Sequence, residues 1–109
     1  MNKIDTSQQV DSPLQFDKIL TTTPHLVALI YAGWCPFCLQ FLPIFRKYAE
    51  GKPHFLLARD DQEVLADRYG VDIIPTVLEF QDGAVTARLD GLPGSGLNET
   101  QLVNFIKEL

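Results

Sequence analysis

Apolar positions along this chain follow two rhythms, one of helical and one of strand spacing. Ser12-Pro13 has the form of a helix start, with Ser12 as cap and Pro13 at the first helical position, and Phe16, Ile19 and Leu20 continue it at i, i+3, i+4 spacing. Thr21 to Pro24 ends that helix. His25-Leu26-Val27-Ala28-Leu29-Ile30-Tyr31 is almost continuously apolar, the pattern of a central strand buried on both faces. Helical spacing returns at Phe41, Leu42, Phe45 and Tyr48, and stops at Gly51 and Pro53. Pro43 lies inside this second helix, where it offers no N–H to the Leu39 carbonyl and is expected to kink the axis.

Phe55-Leu56-Leu57-Ala58 reads as a short buried strand. Asp60 or Asp61 suits the cap of a small helix through Leu65 and Tyr69, closed by Gly70. Ile73 to Phe80 reads as a strand entered through Pro75, and Asp82-Gly83 as a hairpin turn. Val85, Ala87 and Leu89 alternate with polar residues, which predicts one apolar face on the returning strand. After the loop from Gly91 to Gly96, Asn98 and Gln101 have capping-box spacing, and Leu102, Phe105, Ile106 and Leu109 form a last amphipathic stripe. A poorly marked strand near Gln8 to Val10 precedes all of this. Helices between early strands imply parallel right-handed crossovers, and the late hairpin an antiparallel pair. The expected fold is an α/β domain over residues 1–109, a central mixed sheet with helices on both faces.

Composition narrows the classes. At 109 residues the chain suits one domain. Its net charge is −5 with Lys and Arg scattered, so nucleic acid is not the expected partner. The run Leu26 to Gly33 is far too short to span a bilayer, and residues 1–9 contain no apolar segment of a secretion signal. The expected location is cytoplasmic, with no membrane partner and a monomeric state.

Both cysteines, Cys35 and Cys38, lie where a strand gives way to a helix. Three-residue spacing across a first helical turn brings two sulfurs within reach of one disulfide. Unpaired N–H groups and the helix dipole at that point favour a thiolate, which makes Cys35 the expected nucleophile, exposed to solvent. Cys38, one turn inside, is expected to be buried and held in reserve.

Trp34-Cys35-Pro36-Phe37-Cys38 resembles the active site of the thioredoxin family. Tyr69-Gly70-Val71 running into Ile73-Ile74-Pro75-Thr76 is similar to a second landmark of that family, and Pro43, Asp82-Gly83 and Gly91 match others. The resemblance runs from Tyr31 to the C-terminus and is weak before it. It implies a thioredoxin fold, thiol–disulfide exchange with protein disulfides, catalysis by Cys35 and Cys38, no cofactor, and a recharging partner of the thioredoxin-reductase type. It further implies that Pro75 is cis, and that Trp34, Pro36, Phe37, Ile74 and Pro75 hold the substrate in an extended pose. Two departures stand out. Pro36-Phe37 replaces the usual Gly-Pro, a pair that tunes redox poise. Leu29, six positions before Cys35, stands where typical members carry a buried Asp that assists the second cysteine.

Other readings of the same residues compete with these. Pro36 between the cysteines is nearer to glutaredoxins, so glutathione-dependent reduction is one alternative. Cys35 and Cys38 with His25 and His54 would make a Cys2His2 zinc set, although both histidines begin strands and are expected to be exposed strand-end residues away from Cys35. A redox-regulated adaptor is the third. Glu79, a lone charge in an apolar strand, either substitutes for the missing carboxylate or faces solvent where the sheet is uncovered.

Overall fold

The computed structural model describes residues 8–109. The expectation about a secretion signal falls on residues 1–7, which lie outside the described residues. The element order is β1 Gln8–Val10, α1 Pro13–Thr22, β2 His25–Tyr31, α2 Pro36–Ala49, β3 Phe55–Arg59, α3 Val64–Arg68, β4 Thr76–Gln81, β5 Ala84–Leu89 and α4 Glu99–Lys107. The strands form one sheet in the order β1-β3-β2-β4-β5. β1, β3 and β2 run parallel, while β4 is antiparallel to both β2 and β5.

The continuous apolar run of β2 is explained by its position at the centre of the sheet. Val27, Leu29 and Tyr31 face a core shared with α2 and α4, which supply Cys38, Phe41, Phe45 and Leu102. Leu26, Ala28 and Ile30 face the opposite core, closed by Phe16 of α1 and by Leu65 and Ala66 of α3. Each large side chain withdrawn from water in this way contributes about 2 kcal/mol. Phe16 anchors the second core by edge-on contacts to Phe80 at 5.7 Å and Tyr69 at 6.1 Å between ring centres.

The caps follow the sequence closely. Ser12 Oγ accepts the Gln15 N–H at 3.2 Å. Asn98 and Gln101 form the reciprocal box, both bonds at 2.8 Å. Asp60 holds α3, its carboxylate accepting the N–H groups of Leu65 and Ala66 at 3.0 and 2.8 Å. Asp82 and Gly83 take φ values of 51° and 87°, the twisted turn that hairpins favour.

Two expectations need correction. Val85, Ala87 and Leu89 do not share a face. Glu79 pairs with Ala87 but Phe80 pairs with Val85, so Thr86 is an extra residue in a bulge and Val85 turns to the other side of the sheet. Leu109 lies beyond the end of α4 and is exposed, outside the stripe made by Leu102, Phe105 and Ile106.

Candidate active site

The chain leaves β2 at Tyr31 and enters α2 at Pro36, and Cys35 is the residue between the turn and the helix. Its backbone is extended (φ −99°, ψ 114°), which makes it the N-cap of α2. In this position its side chain does what a Ser or Asp cap does elsewhere. Cys35 Sγ accepts the Cys38 N–H at 3.2 Å, one of the donors that a helix start leaves unpaired. Pro36 takes the first helical position, where its missing N–H costs nothing.

The two thiols occupy different surroundings. Cys38 is wholly buried, whereas Cys35 keeps 6% of its surface open. The expectation that Cys35 is broadly exposed is therefore corrected. Chain segments distant in sequence cover it, and its Sγ lies 3.8 Å from the Ile74 carbonyl oxygen. The Ile74–Pro75 bond is cis, as the resemblance implied. Burial, followed by a hydrogen bond to Cys35, pushes the Cys38 thiol up to about 12.

Trp34 is 57% exposed beside this pair, but its indole is not free: Nε1 donates to the Asp61 carbonyl at 2.9 Å. The Asp61 carboxylate accepts the Gly33 N–H at 2.7 Å and pairs with Arg59 at 3.0 Å. Arg59 fits there because residue 33 is glycine; a Cβ at that position would lie 2.3 Å from the guanidinium. The Arg59 charge, Gly33 N–H and Asp61 carboxylate thus fix the strand-to-helix turn from the β3 side. Sequence reading missed Arg59 and Asp61 as site residues. The only local signal for them is the glycine immediately before Trp34.

The other expected site residues converge on the same spot. Phe37 is 37% exposed and Pro36 is exposed, while Ile74 and Pro75 form the opposite wall. Gly91 closes behind Pro75, where a Cβ would meet the Pro75 carbonyl oxygen at 2.5 Å.

Leu29 and Glu79 lie further along the sheet. Leu29 is buried in the core that holds Cys38. Glu79 is neither a surrogate at the thiols nor a solvent-facing charge. It pairs in register with Val27 on β2, is buried, and its carboxylate bonds to His25 Nε2 at 2.7 Å, Thr86 Oγ1 at 3.0 Å and Gln81 Nε2 at 3.3 Å. Burial pushes its carboxyl up, and the hydrogen bonds from Thr86, His25 and Gln81 outweigh that and hold it below the usual value.

His25 in turn stacks on His54 at 5.0 Å. The two histidines are half-buried partners, not the exposed residues expected. They sit at the opening of β2 and beside that of β3, a strand length of roughly 20 Å from the Cys35 end of the sheet. No Cys2His2 set is assembled by that placement. Among the described residues no group of three or more His, Cys, Asp or Glu is arranged to hold a metal ion, and no helix is long and apolar enough to cross a membrane.

Residues 7–108 match a family profile described as Thioredoxin. A thioredoxin of Chlamydia pneumoniae is 32% identical over 95 residues, spanning 84% of this chain and 86% of its own length. A thioredoxin of Neurospora crassa is 32% identical over 89 residues, covering 76% and 70%. Among solved structures, a thioredoxin of Malassezia sympodialis superposes with a TM-score of 0.76 at 20% identity, over 99% of this chain and 94% of that one. A thioredoxin variant from Halobacterium salinarum gives 0.72 at 25% identity, over 99% and 95%.

Proposed function

The chain belongs to the thioredoxin family and is a thiol–disulfide oxidoreductase of the thioredoxin type, and from that premise we propose that Cys35 attacks the substrate and Cys38 resolves the intermediate. Family membership implies protein disulfides as substrates. In the proposed cycle the Cys35 thiolate attacks one sulfur of a substrate disulfide. A mixed disulfide forms, and the other substrate sulfur leaves as a thiolate that takes up a proton. Cys38 then loses its proton and attacks Cys35. The Cys35–Cys38 disulfide forms, the second substrate thiol departs, and two electrons have passed to the substrate.

One observation carries this assignment: the Cys38 N–H points at Cys35 Sγ while Cys38 itself is enclosed. The start of α2 thus aims a backbone donor at the first sulfur and holds it in a fixed orientation. The second sulfur, desolvated and pushed up to about 12, stays protonated until the mixed disulfide is in place. Trp34, Pro36, Phe37, Ile74 and Pro75 are the proposed contacts for the substrate chain. Their support is position, since Trp34, Pro36 and Phe37 border Cys35 in sequence and the Ile74 carbonyl faces its sulfur.

The reading extends to a single domain over residues 1–109 acting as a monomer in the cytoplasm. A partner of the thioredoxin-reductase type would restore the dithiol. One continuous sheet with a core on each face supports the single domain. The chemistry is tested by turbidity as the dithiol-reduced protein cleaves the interchain disulfides of insulin. Activity is expected for the intact chain and none for Cys35→Ser; equal activity in both overturns the assignment.

A further inference from the structure

The guanidinium of Arg88 reaches from β5 to the end of α3. Its Nη1 donates to the Tyr69 carbonyl at 3.0 Å and its Nη2 to the Gly70 carbonyl at 3.1 Å. Tyr69 is the C-cap of α3 and Gly70 follows it with a φ of 64°, so both carbonyls lie where a helix end leaves acceptors in need of partners. Arg88 pairs in register with Leu78, whose side chain faces the core closed by α3, and this puts the guanidinium on the α3 side of the sheet. Asp90 orients the fork, accepting Nε at 3.1 Å and Nη2 at 2.8 Å. The Arg88 and Asp90 side chains are 35% and 51% exposed, so their ion pair adds little stability and acts mainly by directing the guanidinium at the two carbonyls.

The same stretch of chain takes a second grip a few residues further on. Gly91 N donates to Thr76 Oγ1 at 3.2 Å, and Thr76 Oγ1 donates to the Ile73 carbonyl at 2.6 Å. Only Val71 and Asp72 separate the carbonyls held by Arg88 from the one held through Thr76. Residues 88–91 thus fix both ends of the segment that leads into Ile74, whose carbonyl oxygen lies 3.8 Å from Cys35 Sγ.

We propose that Arg88 is a positioning residue for disulfide exchange: its hold on the Tyr69 and Gly70 carbonyls, directed by Asp90, sets how closely the Ile74–Pro75 wall approaches Cys35. This rests on the oxidoreductase reading, with Ile74 and Pro75 as contacts for the substrate chain. A polypeptide laid against that wall presents its sulfur to Cys35 at a distance the wall decides, and a small misplacement there costs rate steeply. A disulfide too small to reach the wall does not depend on it. Lysine cannot replace Arg88 in full, because a point charge on a flexible stem has no planar fork to meet two carbonyls and a carboxylate together.

The test uses the full chain in its dithiol form, unaltered and as Arg88→Met and Arg88→Lys. Each is oxidised by a disulfide-bonded peptide and, separately, by hydroxyethyl disulfide. Second-order rates come from acid-quenched thiol loss read by mass spectrometry. Arg88→Met keeps the length of the aliphatic stem and should lower the peptide rate about tenfold while the hydroxyethyl disulfide rate stays within about twofold. Arg88→Lys should fall between Arg88→Met and the unaltered protein. Iodoacetamide should alkylate Cys35 about threefold faster in Arg88→Met, since the carbonyl that covers its sulfur is held less firmly. Far-ultraviolet circular dichroism and melting establish that the variants fold, and if Arg88→Met does not, the ratio of the two rates in Arg88→Lys decides. A ratio that the variants leave unchanged, whether both rates persist or both fall in parallel, shows that Arg88 only supports the fold and overturns its positioning role. Failure of the unaltered protein to react with either disulfide overturns the oxidoreductase reading instead.

Discussion

Leu29 on β2 stands in register with Leu57 on β3, and both are buried in the core that encloses Cys38. The Cys38 thiol thus lies among hydrocarbon, with the Glu79 carboxylate tied to His25, Thr86 and Gln81. Leu29→Asp is expected to speed resolution of a pre-formed mixed disulfide near neutral pH, because a carboxylate there can take the Cys38 proton. The same change should lower stability by about 3 kcal/mol, since the new group is buried without a partner. Single-turnover quench kinetics and urea unfolding measure the two effects. An unaltered rate would show that proton transfer from Cys38 does not limit the step.

Glu79→Gln should leave that resolution rate and its pH profile as they are. The carboxylate faces the opening end of β2, not the thiols. A slower or shifted profile in this variant would return Glu79 to the proton path.

Acid stability is where Glu79 and the stacked histidines are expected to appear. Burial, then the neighbouring His25 and Lys52, hold His54 below its ordinary value of 6.5. A histidine kept neutral in this way takes up a proton more readily when unfolded, so stability is lost as pH falls below 6.5 toward the lower folded value. Glu79, held below its ordinary 4.5, contributes fully above that pH and loses its contribution as pH falls through its folded value. Urea midpoints between pH 7.5 and 3.5 should therefore fall in two stages. His54→Gln is expected to flatten the upper stage and Glu79→Gln the lower one. A midpoint curve that neither variant alters would refute the assignment of both stages.

The thiols should differ in reactivity. Iodoacetamide at neutral pH is expected to modify Cys35 at least about a hundredfold faster than Cys38, whose thiol at about 12 is almost entirely protonated and is shut away from solvent. Peptide mapping of the alkylated protein reads the ratio. Cys38→Ser should accumulate covalent adducts with substrate proteins, and Cys35→Ser should not. Preferential labelling of Cys38, or equal trapping by both variants, reverses the roles.

Gly91→Ala places a Cβ 2.5 Å from the Pro75 carbonyl oxygen, and backbone on both sides must give way. A cost of about 2 kcal/mol is expected, as for overpacking elsewhere. The rate of substrate reduction should fall with it, because the displaced segment forms one wall of the site. Thermal melting and insulin turbidity check the pair of effects, and a variant as stable and as active as the parent would contradict the close approach.

Much of this was legible in sequence because it depends on local rules. The apolar run from Leu26 to Tyr31 suits a strand covered on both faces, and Ser12, Asn98 and Asp82-Gly83 announce caps and a turn through chemistry that acts within a few residues. Several of the misread features depend on partners far away. Cys35 looked open because the carbonyl that covers it belongs to Ile74. Glu79 looked stranded because its partner His25 lies 54 residues away. Arg59 ends β3 and Asp61 lies in the turn after it, and nothing in the sequence Arg59-Asp60-Asp61 shows which acid caps α3 and which holds Gly33. The bulge at Thr86 is hidden because Val85, Ala87 and Leu89 keep perfect alternation while the ladder does not.

Trp34 is the sole tryptophan in the chain, and it is the residue next to Cys35, with its indole fixed by the Asp61 carbonyl. The protein therefore contains its own optical indicator. Almost all emission excited at the red edge of the near-ultraviolet band arises from one ring adjoining the reactive sulfur, and no second indole adds background. The charge and bonding of the adjoining sulfur change at each stage, and that emission is expected to change with them. Every stage of the cycle can thus be timed without a label, in a chain whose two cysteines are then left unmodified for the reaction itself.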